Sequence, residues 1–125
     1  MAAALIVLIA SLAAMAQAPG AVKYAKSSEV KVKGTVAEVK TGADGIVHLA
    51  FTTDKGSLDV FVAPEKFLKE MEIAFNKGDA LEIVGSQVTA ADGTPLLLAR
   101  EITRAGDTML MRDDQGKPVW VGWPK

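Results

Sequence analysis

The 125-residue chain contains no cysteine. That excludes a disulfide framework, a thiolate metal site, a cysteine nucleophile and a thiol for lipid attachment. Histidine is nearly absent too, with His48 alone, so a metal site would have to draw its other ligands from carboxylates or methionines. Neither sign of charge dominates: 14 Lys and Arg stand against 15 Asp and Glu, too even a balance to gather phosphate backbones. Aromatic residues make up only 6% of the chain. The catalytic signatures are missing as well: no Gly-x-Ser-x-Gly elbow, no His-Glu-x-x-His helix, no glycine-rich phosphate loop. These absences point away from an enzyme and from a resident cofactor or metal.

What is present begins with an apolar stretch over residues 2–14, broken only by Ser11, followed by Ala16-Gln17-Ala18. Small-x-small is the pattern a signal peptidase cuts after, so residues 1–18 read as a secretory leader and the mature chain as starting at Pro19. The run is too short for the ~20 apolar residues of a membrane-spanning helix. No Lys or Arg precedes it, which departs from the usual leader. All charged residues lie after Ala18, so the remainder has the composition of one soluble domain. Export without cysteine implies a lipid-free protein in the periplasm or outside the cell.

After a linker over 19–28, with Tyr24 its bulky residue, short segments alternate with glycine-containing turns at roughly ten-residue spacing, the rhythm of a small barrel or sandwich. Segment 29–41 alternates Val30, Val32, Gly34 and Val36 with polar residues, then changes parity. The change requires a bulge near Ala37-Glu38, with Gly34 where another chain comes close. Strands are expected over 46–53 and 58–63, joined by a loop at Lys55-Gly56 that sets Asp54 opposite Ser57. That register places Val47, Leu49, Phe51, Leu58, Val60 and Val62 on the core face, and His48, Ala50, Thr52, Asp59, Phe61 and Ala63 on the other. Pro64 opens a helical pattern of Phe67, Leu68, Met71 and Phe75, expected to stop near Asn76-Lys77-Gly78. Strands at 80–89 and 96–103 follow, joined by a turn at 91–94. A final pair, 108–112 and 118–123, is joined by Asp113-Asp114-Gln115-Gly116.

The expectation is therefore all-β with one helix: an OB-fold-like five-stranded barrel (β-β-β-α-β-β) over 29–104, extended by a C-terminal β-hairpin over 105–125. In this pattern the chain resembles small exported bacterial OB-fold proteins. That broad group includes the periplasmic bacterial OB-fold family and anticodon-binding-like nucleic-acid domains. The resemblance covers about residues 29–104. It implies a ligand held between the first-second loop (41–45) and the fourth-fifth loop (90–94).

The residues placed on that surface are Lys31, Lys33, His48, Thr52, Asp59 and Phe61, an outward strip able to meet an extended or small ligand. The Trp-bearing segment is expected to fold back over it. The function expected is an exported, non-enzymatic binding module for an envelope ligand: an oligosaccharide, a small molecule or a protein partner. Two alternatives stand beside it: single-strand nucleic-acid binding, which the charge balance disfavours, and metal handling by His48 with Met109 or Met111. A further reading makes Trp123 part of an oligomer interface.

Overall fold

The computed structural model describes residues 23–121; the expected leader and Trp123 lie outside them. A 3-10 turn, Lys26–Ser28, leads into β1 (Glu29–Thr41), β2 (Ile46–Thr53), β3 (Gly56–Pro64), α1 (Glu65–Glu70), β4 (Ala80–Thr89), β5 (Pro95–Arg104) and β6 (Asp107–Leu110). The sheet order is β3-β2-β1-β4-β5-β6. A parallel pairing of β3 with β5, Asp59 opposite Leu96 through Phe61 opposite Leu98, closes the first five strands into a barrel. β6 is bonded outside the ring, against β5.

Closure follows from β1. It is long enough to pair with β4 along its first half and β2 along its second. The parity change in its sequence is a bulge between Val36 and Glu38, where Ala37 is the extra residue. A bulge raises local twist and lets one strand serve both sides of a small barrel. Gly34 lies at the bend: a Cβ there would come within 2.1 Å of the Thr52 carbonyl oxygen. Side chains alternating inward fill the interior, with Leu49, Phe51, Val60, Val62, Ile83, Leu97 and Ile102 fully buried.

In three places the structure departs from the local sequence signals. The β2–β3 loop is Asp54-Lys55, not Lys55-Gly56, so Thr53 pairs with Gly56 and His48 with Phe61. The Thr53 hydroxyl fixes this register, accepting from the Lys55 N–H at 3.1 Å and donating to the Gly56 carbonyl at 3.0 Å. A slip of two residues leaves every side chain on its expected face. Ala63 is the exception. A second bulge at Val47/His48 turns it inward, where it is fully buried.

The helix is the second departure, since it ends at Glu70 rather than near Asn76. Pro64 starts it with φ −60°, and Phe67 and Leu68 are its buried face. The Ile73 N–H then donates to the Leu68 carbonyl and the Glu72 N–H to the Lys69 carbonyl, with Glu72 at φ 57°. This is a Schellman stop, and it brings Ile73 and Phe75 back onto the barrel as extended chain. Phe75 therefore reaches the core by a loop, not by helical periodicity.

The third departure is the terminal hairpin. Its first arm is β6, but the second is reduced to one bridge between Arg112 and Pro118 and a Val119 N–H donating to Met111. The turn between them forms as the Asp113-Gly116 sequence suggests. Asp113 Oδ1 accepts the Gln115 and Lys117 N–H groups at 2.9 Å each. Among the described residues no helix is long and apolar enough to cross a membrane.

Candidate functional site

β5 carries the apolar run Leu96-Leu97-Leu98-Ala99, and all four residues are buried. A strand with one wet face would alternate, so an unbroken run demands cover on both faces. Leu97 and Ala99 face the barrel interior, where they join the core cluster. Leu96 and Leu98 face outward into a cleft of about 810 Å³. The cover is supplied by the two ends of the described chain, which meet there.

At the N-terminal end, residues 23–28 form a strap. The Ser86 side chain, fully buried on β4, donates to the Ala25 carbonyl at 2.8 Å and accepts its N–H at 3.0 Å. The segment expected to be a linker is thus docked on the barrel. Tyr24 donates its hydroxyl to Glu29. Glu29 also receives Arg100, Nε to Oε2 at 2.8 Å and Nη2 to Oε1 at 3.3 Å. Burial, together with the Glu29 acceptor, pushes the Tyr24 phenol up to about 12. Hydrogen bonds from Tyr24 and Arg100 hold the Glu29 carboxyl below its ordinary range.

From the C-terminal end comes the group that organises the site. Arg112 is only 6% exposed. Its guanidinium carbon lies 5.6 Å from the Tyr24 ring centre, 5.7 Å from Phe61 and 5.6 Å from Trp120. Nη1 donates to the Gly116 carbonyl at 2.9 Å, and Nε is buried without a hydrogen-bond partner. Burial lowers the pKa of Arg112, yet a guanidinium keeps its proton at neutral pH. Gly116 has no room for a side chain, because a Cβ would come within 2.4 Å of Tyr24 Cδ1.

The cleft therefore has a floor of Leu96, Leu98 and Arg112 and aromatic walls of Tyr24, Phe61 and Trp120. Asp44 from the β1–β2 loop and Asp92 from the β4–β5 loop stand on its exposed rim, as do Lys23 and Lys117. The two loops named from the barrel pattern both border it.

Of the six strip residues, the structure brings three together. His48 Nδ1 lies 2.9 Å from Asp59 Oδ1, and the His48 ring meets Phe61 edge-on at 5.4 Å. Trp120 stacks over Phe61 at 6.5 Å and 26°, so the Trp-bearing segment does fold back over this part of the strip. His48 and Phe61 line the cleft; Asp59 supports His48 from beside it. Lys31, Lys33 and Thr52 lie elsewhere. Both lysines reach Glu82 on β4, at 3.7 and 3.4 Å, and Thr52 is exposed opposite Thr35 and Ser57. The bend in β1 carries its lysine-bearing half toward β4 and away from His48.

Met109 and Met111 do share a face, and it is the inner one. Met111 is fully buried and Met109 packs on the core. No group of three or more His, Asp or Glu among the described residues is placed to hold a metal. Arg112 and Tyr24 were not legible as site residues. Their one sequence signal is the unbroken apolar run of β5, which requires cover without naming it.

A closed five-strand barrel, with a cleft between two strand-connecting loops and the ends of the described chain folded over its mouth, defines a small, mostly β barrel protein with one short helix. The sequence matches the model of the MamS/MamX magnetosome protein family over residues 28–109, from the start of β1 into β6, and the chain belongs to that family. Tyr24, Arg112 and Trp120 lie outside the matched span, whereas His48 and Phe61 lie inside it. No curated protein matches the sequence.

Proposed function

We propose that the domain is an exported, non-enzymatic binding module that takes a small ligand or the end of an oligosaccharide into the cleft between the β1–β2 and β4–β5 loops. The observation that carries this reading is the cleft itself. It has about 810 Å³ of space, an apolar floor and a few convergent polar groups. Those are the proportions of small-molecule sites generally. Loops on a rigid closed barrel suit recognition, because the ring holds its rims at a set separation while the loop residues remain free to vary. The family description adds a magnetosome setting and no ligand.

The test is a binding screen of residues 19–125 against envelope glycans, small metabolites and short peptides, repeated with variants. His48→Ala and Phe61→Ala are expected to weaken any ligand found, and Lys33→Ala, whose partner is Glu82, to leave it unchanged. Binding that survives both cleft variants, or that depends on Lys33, overturns the site. Export is checked separately by N-terminal sequencing from the native host, where Pro19 is the expected first residue and Met1 the contrary result.

A further inference from the structure

Among the described residues, Arg112 is the arginine whose charge has no counterion. Arg100 forks onto Glu29 and also reaches Glu101 at 2.7 Å, while Arg104 reaches Asp79 at 3.1 Å. Arg112, among the described residues, has no carboxylate within ion-pair distance, although it is more buried than either. An unpaired buried cation is costly, because water has been removed and no anion has replaced it. The rings of Tyr24, Phe61 and Trp120 offset part of that cost through their π faces. They contribute no hydrogen-bond acceptor in the plane of the guanidinium. In that plane Nη1 is committed to Gly116, which leaves the Nε–Nη2 edge unclaimed. That edge is a two-donor fork whose spacing matches the two oxygens of a carboxylate or phosphate.

From this we infer, building on the binding reading above, that the ligand of the cleft is a small organic anion: one carboxylate or phosphate group on an uncharged, ring-sized body. The anionic group sits on the Nε–Nη2 edge of Arg112, and the body lies along Leu96, Leu98 and Trp120. Lys23 and Lys117 on the rim add positive charge around the entrance. Asp44 and Asp92 on the other loops set the limit to one anionic group. Each accepts a backbone N–H, from Ile46 at 3.0 Å and from Thr94 at 2.9 Å. A second anion at that end would be repelled, whereas hydroxyl groups on the body could donate to them. His48, with Nδ1 held by Asp59, and Gln115 are further polar groups lining the cleft.

The experiment is an NMR titration of 15N-labelled residues 19–125 with four probes at constant ionic strength: glucuronate, glucose 6-phosphate, glucose and inorganic phosphate. Expected are shifts of the Gly116 amide and the Trp120 indole with both sugar anions, at affinities at least about tenfold above glucose. Phosphate alone should compete. Arg112→Met, which keeps a long apolar stem, should bring the sugar anions down to the level of glucose, and Arg112→Lys should retain part of the preference. Thermal melts of the wild type form a second arm that does not depend on the variants folding. Glucuronate and phosphate, but not glucose or chloride, should raise its midpoint by mass action.

The outcomes separate cleanly. Equal binding of glucose and glucuronate in the cleft overturns the anion assignment and leaves the binding reading standing. An anion preference that Arg112→Met does not alter overturns it too. Absence of any shift and any stabilisation with all four probes removes both. A response to glucuronate alone, or to the phosphates alone, upholds the assignment and selects carboxylate or phosphate.

Discussion

Gly34 and Arg112 show two ways in which a single residue acts here, one by lacking a side chain and one by lacking a partner. At Gly34 the Thr52 carbonyl occupies the space a Cβ would need, and backbone does not move aside as a flexible side chain can. Gly34→Ala is expected to cost about 3 kcal/mol, near the top of the range for overpacking, read as a lower urea midpoint at unchanged slope. Glu29 is a third case, in which the partners set the charge. Its carboxyl is held below the ordinary range by Tyr24 and Arg100, so the folded state favours the ionised form. The stabilisation is therefore complete above the unfolded pKa of about 4.3 and is lost as pH falls through the lower folded value. Tyr24 has the opposite sign. Its phenol is pushed up to about 12, so its contribution persists below about pH 10 and is lost as pH rises from there toward 12. Denaturant midpoints across pH should fall at both ends, and Glu29→Gln should flatten the acid limb.

At the scale of elements, the two non-glycine residues with positive φ among the described residues mark where local sequence and structure disagree. Glu72, at φ 57°, occupies the position after the α1 cap that glycine usually fills. Ala105, at φ 52°, and Gly106, at φ 89°, form the two-residue turn between β5 and β6. An L residue in this region costs about 1 to 2 kcal/mol, so Glu72→Gly and Ala105→Gly are each expected to stabilise by roughly 1 kcal/mol, with their effects additive in thermal melts. The helix stop shows why helical spacing overstates the length of α1, which ends at Glu70. Phe67, Leu68, Met71 and Phe75 do recur at helical spacing, but Met71 is 54% exposed and Phe75 comes home along extended chain. Periodicity records which residues need burial, and α1 is only one route to it. Strands β1, β2 and β4 were legible end to end because period-two alternation against a single core has one solution, whatever the loop register.

For the molecule as a whole, the docked ends of the described chain, residues 23–28 and 111–121, are what turn a barrel into a site. The strap is held by Ser86 and by the Tyr24–Glu29–Arg100 cluster, and the C-terminal segment by Arg112 and Trp120. Ser86→Ala removes both bonds to Ala25 and is expected to cost about 1 to 2 kcal/mol. It should also raise hydrogen exchange at the Ala25 amide while leaving Ile83 and Leu97 protected. Uniform loss of protection across the barrel would show that strap and ring unfold together. By itself the sequence determined the strands of the ring, the bulge in β1, most of the turns and a barrel without disulfides, because alternation, glycine placement and cysteine content are local properties. Only the tertiary structure decided which outward residues meet. Lys31 and Lys33 were carried to Glu82, while Tyr24, Phe61, Arg112 and Trp120 came together from three separate stretches of chain: the strap, β3 and the C-terminal segment. The physical reason is that a cleft is made by segments distant in sequence packing on one sheet face, and no local pattern encodes the partner of a segment that leaves the ring.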